Sequence, residues 1–151
     1  MAGDGPLKAQ LQALANGYGL GDRLSWLGWV GSMGSLYREV DVFVHPSEGE
    51  GFSNAVLEAM AHGLPVVARD AAFNHELIEH EVTGLLFDGS PEALFQAVGR
   101  LCRDHEARKT LGKAARQFVR DHHSWDVVHR AYLALVQRAC GTLGPSSRER
   151  L

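Results

Sequence analysis

The chain has 151 residues, 45% of them hydrophobic and 22% charged, with a net charge of −3 and two cysteines. That length gives one domain or one half of a larger enzyme, and the composition is globular. It excludes a disulfide framework, a dedicated nucleic-acid binder and, with no apolar run near the roughly 18 residues a span requires, a transmembrane helix.

The start, MAGDGPLK, is not a secretion signal, and the reading is a cytoplasmic domain. Charge is uneven: residues 1–99 carry 4 basic and 13 acidic side chains, whereas residues 100–151 carry 11 basic and 5 acidic. The basic part is helical in pattern, and its charges are read as one solvated face rather than a membrane anchor.

Taken in chain order, Leu7, Leu11 and Leu14 recur at helical spacing between Pro6 and Gly17. RLSWLGWV (23–30) reads as a strand, and a short helix follows from about Ser32 to Glu39. VDVFVH (40–45), LPVVAR (64–69) and TGLLFD (83–88) read as three further strands. AVLEAMAHG (55–63) and HELIEH (75–80) read as helices. Ser90–Pro91 opens a helix striped by Leu94, Phe95, Val98, Leu101 and Cys102. The next is striped by Ala107, Leu111, Ala114, Phe118 and Val119, with Arg108, Lys109, Lys113, Arg116 and Arg120 on its other faces. A last helix, from about Ser124 to Ala139, carries Val127, Val128, Tyr132, Leu135 and Val136. The organisation is thus one domain over 1–140 and a patternless tail over 141–151. Short apolar strands alternating with helices predict an α/β fold with a parallel sheet covered on both faces. Ligands of such sheets bind at the carboxyl ends of strands, so the segment after His45 is the first place to look.

That segment is HPSEGEGFSNAVLEAMAHG (45–63). Glu58 sits among Ala55, Val56, Leu57, Ala59, Met60 and Ala61, so its helix is expected to be buried. A lone buried carboxylate is either in a structural ion pair or reserved for a ligand with hydroxyl donors. Gly49 and Gly51 permit close backbone approach, and Ser53 or Asn54 suits a helix cap. A helix start at the mouth of a parallel sheet is an anion site. The spacing suits a nucleoside diphosphate, with Glu58 on a ribose diol and Glu50 directed beyond the phosphates. The bland alternative is an ordinary capped helix with two satisfied glutamates.

The pattern Glu50–x7–Glu58 inside PSEGEGFSNAVLEAMAHGLPVVA resembles the signature of retaining glycosyltransferases of the GT-B fold, in the group called glycosyl transferases group one. GDGP (3–6), LSWLGWV (24–30), LYREVDVFVHPS (36–47), HEVTGLLFD (80–88) and Ser124–Trp125 extend the likeness over about residues 3–138. The resemblance implies the Rossmann-like, donor-binding C-terminal half of such an enzyme. It implies transfer of a sugar from a UDP- or GDP-linked donor with retention at the anomeric carbon, without cofactor or metal, in polysaccharide or glycolipid synthesis. It places Glu58 on the ribose, Glu50 on the donor sugar as the catalytic-site residue, and Gly51, Phe52, Ser53 and Asn54 on the diphosphate. More loosely, it places Gly28, Trp29 and Val30 on the nucleobase.

There are departures. The family's diphosphate-binding Arg and Lys, its first C-terminal strands and its acceptor domain would all precede Gly3. A fragment is therefore expected. It would need a missing N-terminal domain or partner chain for activity, and its open sheet edges would invite self-association. The alternative is a non-catalytic remnant that binds nucleotide sugars or docks on a partner. Ala72–Phe73 stands where many members have Gly-Gly, and Glu76 matches a turn residue near the donor. His75 and His80 are five apart, which discounts a zinc helix. His45 reads as an ordinary histidine, His122–His123 as a solvated helix end, and Trp26, Trp29 and Trp125 as core or loop anchors.

Overall fold

The structure is a computed structural model that describes residues 1–142. From residue 143 on, the expected tail lies outside the described residues. The chain forms two compact units, Met1–Glu39 and Val40 onward.

The first unit contains α1 (Lys8–Gly17), a single 3-10 turn (Gly21–Arg23) and α2 (Met33–Glu39). The strand expected at 23–30 does not form. Leu27 N–H donates to the Met1 carbonyl (2.9 Å) and Gly3 N–H to the Gly28 carbonyl (2.7 Å), leaving only isolated bridges at Gly28. Gly28 turns away at φ 60°, so among the described residues the ladder does not propagate beyond these bridges. The leucine row of α1 is not a core face: Leu7, Leu11 and Leu14 are exposed and only Ala15 is buried.

The second unit is built on a parallel sheet of β1 (Phe43–His45), β2 (Val66–Arg69) and β3 (Leu85–Phe87), in the order β1-β2-β3. Val44 pairs with Val67, and Ala68 with Leu86. Its helices are α3 (Asn54–Ala61), α4 (Ala72–His75), α5 (Pro91–Arg103), α6 (His105–His122) and α7 (Trp125–Thr142). Val66, Val67 and Ala68 are all 0% exposed. Successive strand side chains point to opposite faces, so both faces of β2 are covered, as the unbroken apolar run predicted.

On one face Val67, Leu85 and Phe87 pack with Leu101 of α5 and Leu111 of α6, flanked by Val42, Leu94 and Val98. The stripe of α5 is thus Leu94, Val98 and Leu101; Phe95 and Cys102 are exposed. Ser90 Oγ caps α5 by accepting from Ala93 N–H (3.2 Å), and Asp104 caps α6 by accepting from Ala107 N–H (2.9 Å). The helix expected over HELIEH stops at His75. Leu77 and Ile78 instead drop into the core, and Thr83 Oγ1 accepts from Glu79 N–H (2.9 Å), closing the turn into β3. α7 lies open, with Trp125, Val128, Tyr132, Leu135 and Val136 exposed, so neither Trp125 nor the exposed Trp29 is a core anchor.

One contact fixes how α6 meets α3. Gly63 ends α3 at φ 80°, with Gly63 N–H bonded to the Met60 carbonyl (2.9 Å) and Leu64 N–H to the Ala59 carbonyl (3.1 Å). This is the paired-bond helix stop that glycine favours. Gly112 lies against it so closely that a β-carbon there would sit 2.1 Å from the Gly63 carbonyl oxygen. The inner face of α6 is Leu111, Gly112, Ala115 and Val119: Leu111 and Val119 of the expected stripe are buried, while Gly112 and Ala115 take the place of Ala114 and Phe118.

No helix among the described residues is long and apolar enough to cross a membrane. Gly112→Ala should lower unfolding free energy by about 1–3 kcal/mol, the usual cost of overpacking. Urea denaturation reads this directly, and an unchanged midpoint would contradict the contact.

Two carboxyls titrate low. The Arg100 guanidinium, hydrogen-bonded to Glu81, holds Glu81 below the usual range, and hydrogen bonds from Ser90 do the same for Asp88. A lowered folded-state pKa contributes stability that is present above the ordinary carboxylate value and lost as pH falls through the lowered one. Stability should therefore fall on acidification below about pH 4. In Glu81→Gln, less of it should be lost. An identical acid limb in Glu81→Gln would contradict the pairing.

Candidate donor-binding site

The carboxyl edge of the sheet is assembled from the ends of β1 and β2. β1 ends in His45, the loop 46–53 follows, and α3 begins at Asn54. The helix thus points its N-terminal, electropositive end to the same edge where the strands finish.

Glu50 is held within this loop. Its Oε1 lies 3.1 Å from Nε2 of His45, whose ring stacks on Phe43 with the planes 17° apart. A strand-end histidine therefore aims a loop glutamate, a role that reading His45 as an ordinary histidine missed. The loop is tied down at two further points. Arg69, at the end of β2, pairs with Glu48. The Phe52 ring sits 6.1 Å, centroid to centroid, from His123 at the end of α6, and His123 in turn lies 5.6 Å from Phe118. His122–His123 is accordingly not a merely solvated helix end. Arg69 is a cation at the carboxyl edge, but Glu48 engages it.

Ser53 departs from expectation. Its side chain makes no cap bond to α3, although its carbonyl accepts from Leu57 N–H (3.0 Å). The residue is 0% exposed, and its hydroxyl has no hydrogen-bond partner among the described residues. Two other buried side-chain atoms share that condition, His45 Nδ1 and Asn74 Oδ1. Asn74 lies in α4 beyond the end of β2, where its Nδ2 donates to the Arg69 carbonyl (2.8 Å). His45 is the last residue of β1, and Ser53 and Asn74 lie in the segments that follow β1 and β2. Burying a polar group without a partner costs about 1–3 kcal/mol, so native chains keep few of them. Sequence reading had no handle on Asn74, because it stands in no motif and its burial comes only from the fold.

Glu58 also corrects the sequence reading, because it is exposed. Only Val56, Ala59 and Met60 of α3 are buried, and Glu58 falls on the row Asn54–Glu58–His62, which faces away. The helix is apolar in composition but is covered on one side only. The desolvation argument for Glu58 therefore fails, and its place one turn into α3 remains. Gly51, Phe52 and Asn54 sit in the loop and first turn of the same unit, all exposed. Glu76 follows α4 directly and is exposed; Ala72–Phe73 is simply the helical start of α4. Gly28, Trp29 and Val30 belong to the first unit, where Trp29 is 87% exposed and offers a bare indole face.

Residues 1–104 match the family described as glycosyl transferases group 1. The chain belongs to that family. It is 31% identical over 147 residues to an uncharacterized glycosyltransferase of Methanocaldococcus jannaschii, covering 95% of this chain and 38% of the relative. It is 30% identical to a GDP-mannose-dependent phosphatidylinositol monomannoside mannosyltransferase of Mycobacterium tuberculosis, covering 85% of this chain and 36% of that protein. Among solved structures, it superposes on sucrose-phosphate synthase from Thermosynechococcus elongatus with a TM-score of 0.85 at 29% identity, covering 91% of this chain and 35% of that one. It superposes on Anabaena HepE in complex with UDP-glucose with a TM-score of 0.84 at 25% identity, covering 91% and 40%. The chain therefore spans somewhat over a third of the length of these relatives, and its fold is that of the C-terminal half of a GT-B glycosyltransferase.

If the Ser53 hydroxyl were a working cap, Ser53→Ala would cost about 1 kcal/mol. With the hydroxyl buried and unmatched, Ser53→Ala should leave stability unchanged or raise it. Chemical denaturation of the two proteins distinguishes these outcomes, and a loss of 1 kcal/mol or more would contradict the reading.

Proposed function

We propose that this chain is the donor-binding part of a glycosyltransferase that moves a sugar from a nucleoside-diphosphate donor to an acceptor with retention at the anomeric carbon. The observation that carries the proposal is the arrangement after β1: His45 holds the Glu50 carboxylate at 3.1 Å, and the exposed Gly51–Phe52 loop leads straight into the electropositive start of α3 at Asn54.

In this reading the diphosphate lies on the loop Gly51–Phe52–Ser53 and the first turn of α3 at Asn54. Glu58, one turn on, accepts hydrogen bonds from the ribose hydroxyls. Its exposure suits that task, since a diol can reach the carboxylate from solvent. Glu50, steadied by His45, meets the donor sugar. As the glycosidic bond breaks, negative charge grows on the departing diphosphate. Fixed backbone dipoles at the start of α3 stabilise that charge more than they stabilise the intact donor, which lowers the barrier. The nucleotide complexes of Anabaena HepE support a uridine donor, and the name of the mycobacterial relative supports a guanosine one.

Transfer also requires an acceptor held against the donor in one cleft. The residues assigned above serve the donor alone, so the acceptor wall comes from a further domain or a partner chain.

Calorimetric titration with UDP, GDP and their sugars tests the assignment. Glu58→Ala should weaken nucleoside-diphosphate binding roughly ten- to hundredfold, because charged hydrogen bonds are lost. Glu50→Ala should weaken the sugar nucleotide but not the bare diphosphate. Undiminished binding by a folded Glu58→Ala protein would overturn the ribose assignment.

A further inference from the structure

At the other end of α3, a cavity of about 340 Å³ opens between the helix stop and α6, lined by His62, Gly63, Gly112, Lys113, Arg116, Gln117 and Arg120. We propose that it binds a small phosphate-bearing molecule, at a site separate from the donor site. The eight residues of α3 separate the two by about 12 Å along the helix.

The argument begins with which cations of α6 are already used. Arg108 donates to the Cys102 carbonyl (3.3 Å) at the end of α5 and contacts His105 Nδ1 (3.1 Å). Lys109 pairs with Glu106 at 3.7 Å. Those two have structural roles. Lys113, Arg116 and Arg120 have neither an ion pair nor a hydrogen bond among the described residues, and their spacing puts them on one row of the helix. All three line the cavity, and no carboxylate lines it with them. The nearest acid in sequence, Asp121, accepts from Gln117 Nε2 at 2.9 and 3.0 Å.

Capping of α3 does not account for these charges. The Glu58, Ala59 and Met60 carbonyls already accept from His62, Leu64 and Gly63 N–H groups, so three of the last four carbonyls of α3 do not draw on the cations. Nor does the charge row serve the sheet core, which α6 meets with Leu111 and Ala107. The floor is backbone: Gly63 against Gly112, with Arg116 Cδ near enough to touch any side chain added at Gly63 (3.7 Å). Three converging cations over a glycine floor suit a group carrying two or more negative charges on fixed oxygens, and two arginine forks match phosphate geometry. The volume exceeds that of one phosphate and reaches the lower range of small-molecule sites, so a phosphate ester or polyphosphate fits better than the bare ion.

The test is amide NMR of the full chain titrated with inorganic phosphate and with pyrophosphate at constant ionic strength. Saturable shifts are expected at Gly63, Gly112, Lys113 and Gln117. They are distinguishable from any at Gly51–Ala55, which would report the donor site. Arg116→Gln combined with Arg120→Gln should weaken the first set at least tenfold while leaving the thermal midpoint in place; Lys113→Gln provides a second variant. Sedimentation with phosphatidic acid vesicles, against phosphatidylcholine vesicles, identifies the source of the phosphate. Arginine-dependent pelleting would uphold the site with a lipid headgroup as its ligand, and binding of free phosphate without pelleting would uphold it with a soluble one. Shifts no larger than chloride produces, or shifts equal in the double variant, would overturn the proposal.

Discussion

Complete burial of β2 is the constraint on which the second unit depends. Val66, Val67 and Ala68 lie between β1 and β3 with helices over both faces, so no polar group can be placed along the strand without losing its water. Functional groups are therefore confined to strand ends and to the helices that start or stop there. His45 closes β1, Arg69 closes β2, and Ser53 and Asn74 stand at the turns that lead away. The carboxyl edge collects these groups because every strand runs the same way.

α3 links the two ends of this architecture. Its start faces the carboxyl edge, with unmatched polar atoms around it, and its stop at Gly63 rests on Gly112 of α6. The close glycine contact places α6 so that its small residues meet α3 and its cations face outward around the stop. The same helix positions Phe118 and His123 against Phe52. Packing that begins as a backbone contact at one end of α3 thus also braces the loop at the other.

Much of this was legible in the chain. Val66, Val67 and Ala68 announced a doubly covered strand, Ser90 and Pro91 a helix start, and the Glu50–Glu58 spacing together with the segments around it the family. What was not legible depended on tertiary placement. The 23–30 segment has the residues of a strand, but it forms only isolated bridges and bends at Gly28. Glu58 sits among apolar neighbours in sequence yet on the uncovered side of its helix, because burial follows helix phase rather than composition. Ser53 has the residue type of a cap, but its hydroxyl makes no cap bond. His45 and Asn74 carry no local signal, since their roles arise from what folds against them.

The central claim is that the loop after His45 and the first turn of α3 form the diphosphate site. A crystal structure of the chain soaked with UDP tests it most directly. The account predicts the diphosphate at the loop 51–53 and the first turn of α3, with Ser53 Oγ bonded to the nucleotide or to a water that bridges to it. UDP bound elsewhere, with Ser53 Oγ, His45 Nδ1 and Asn74 Oδ1 still unmatched, would contradict it.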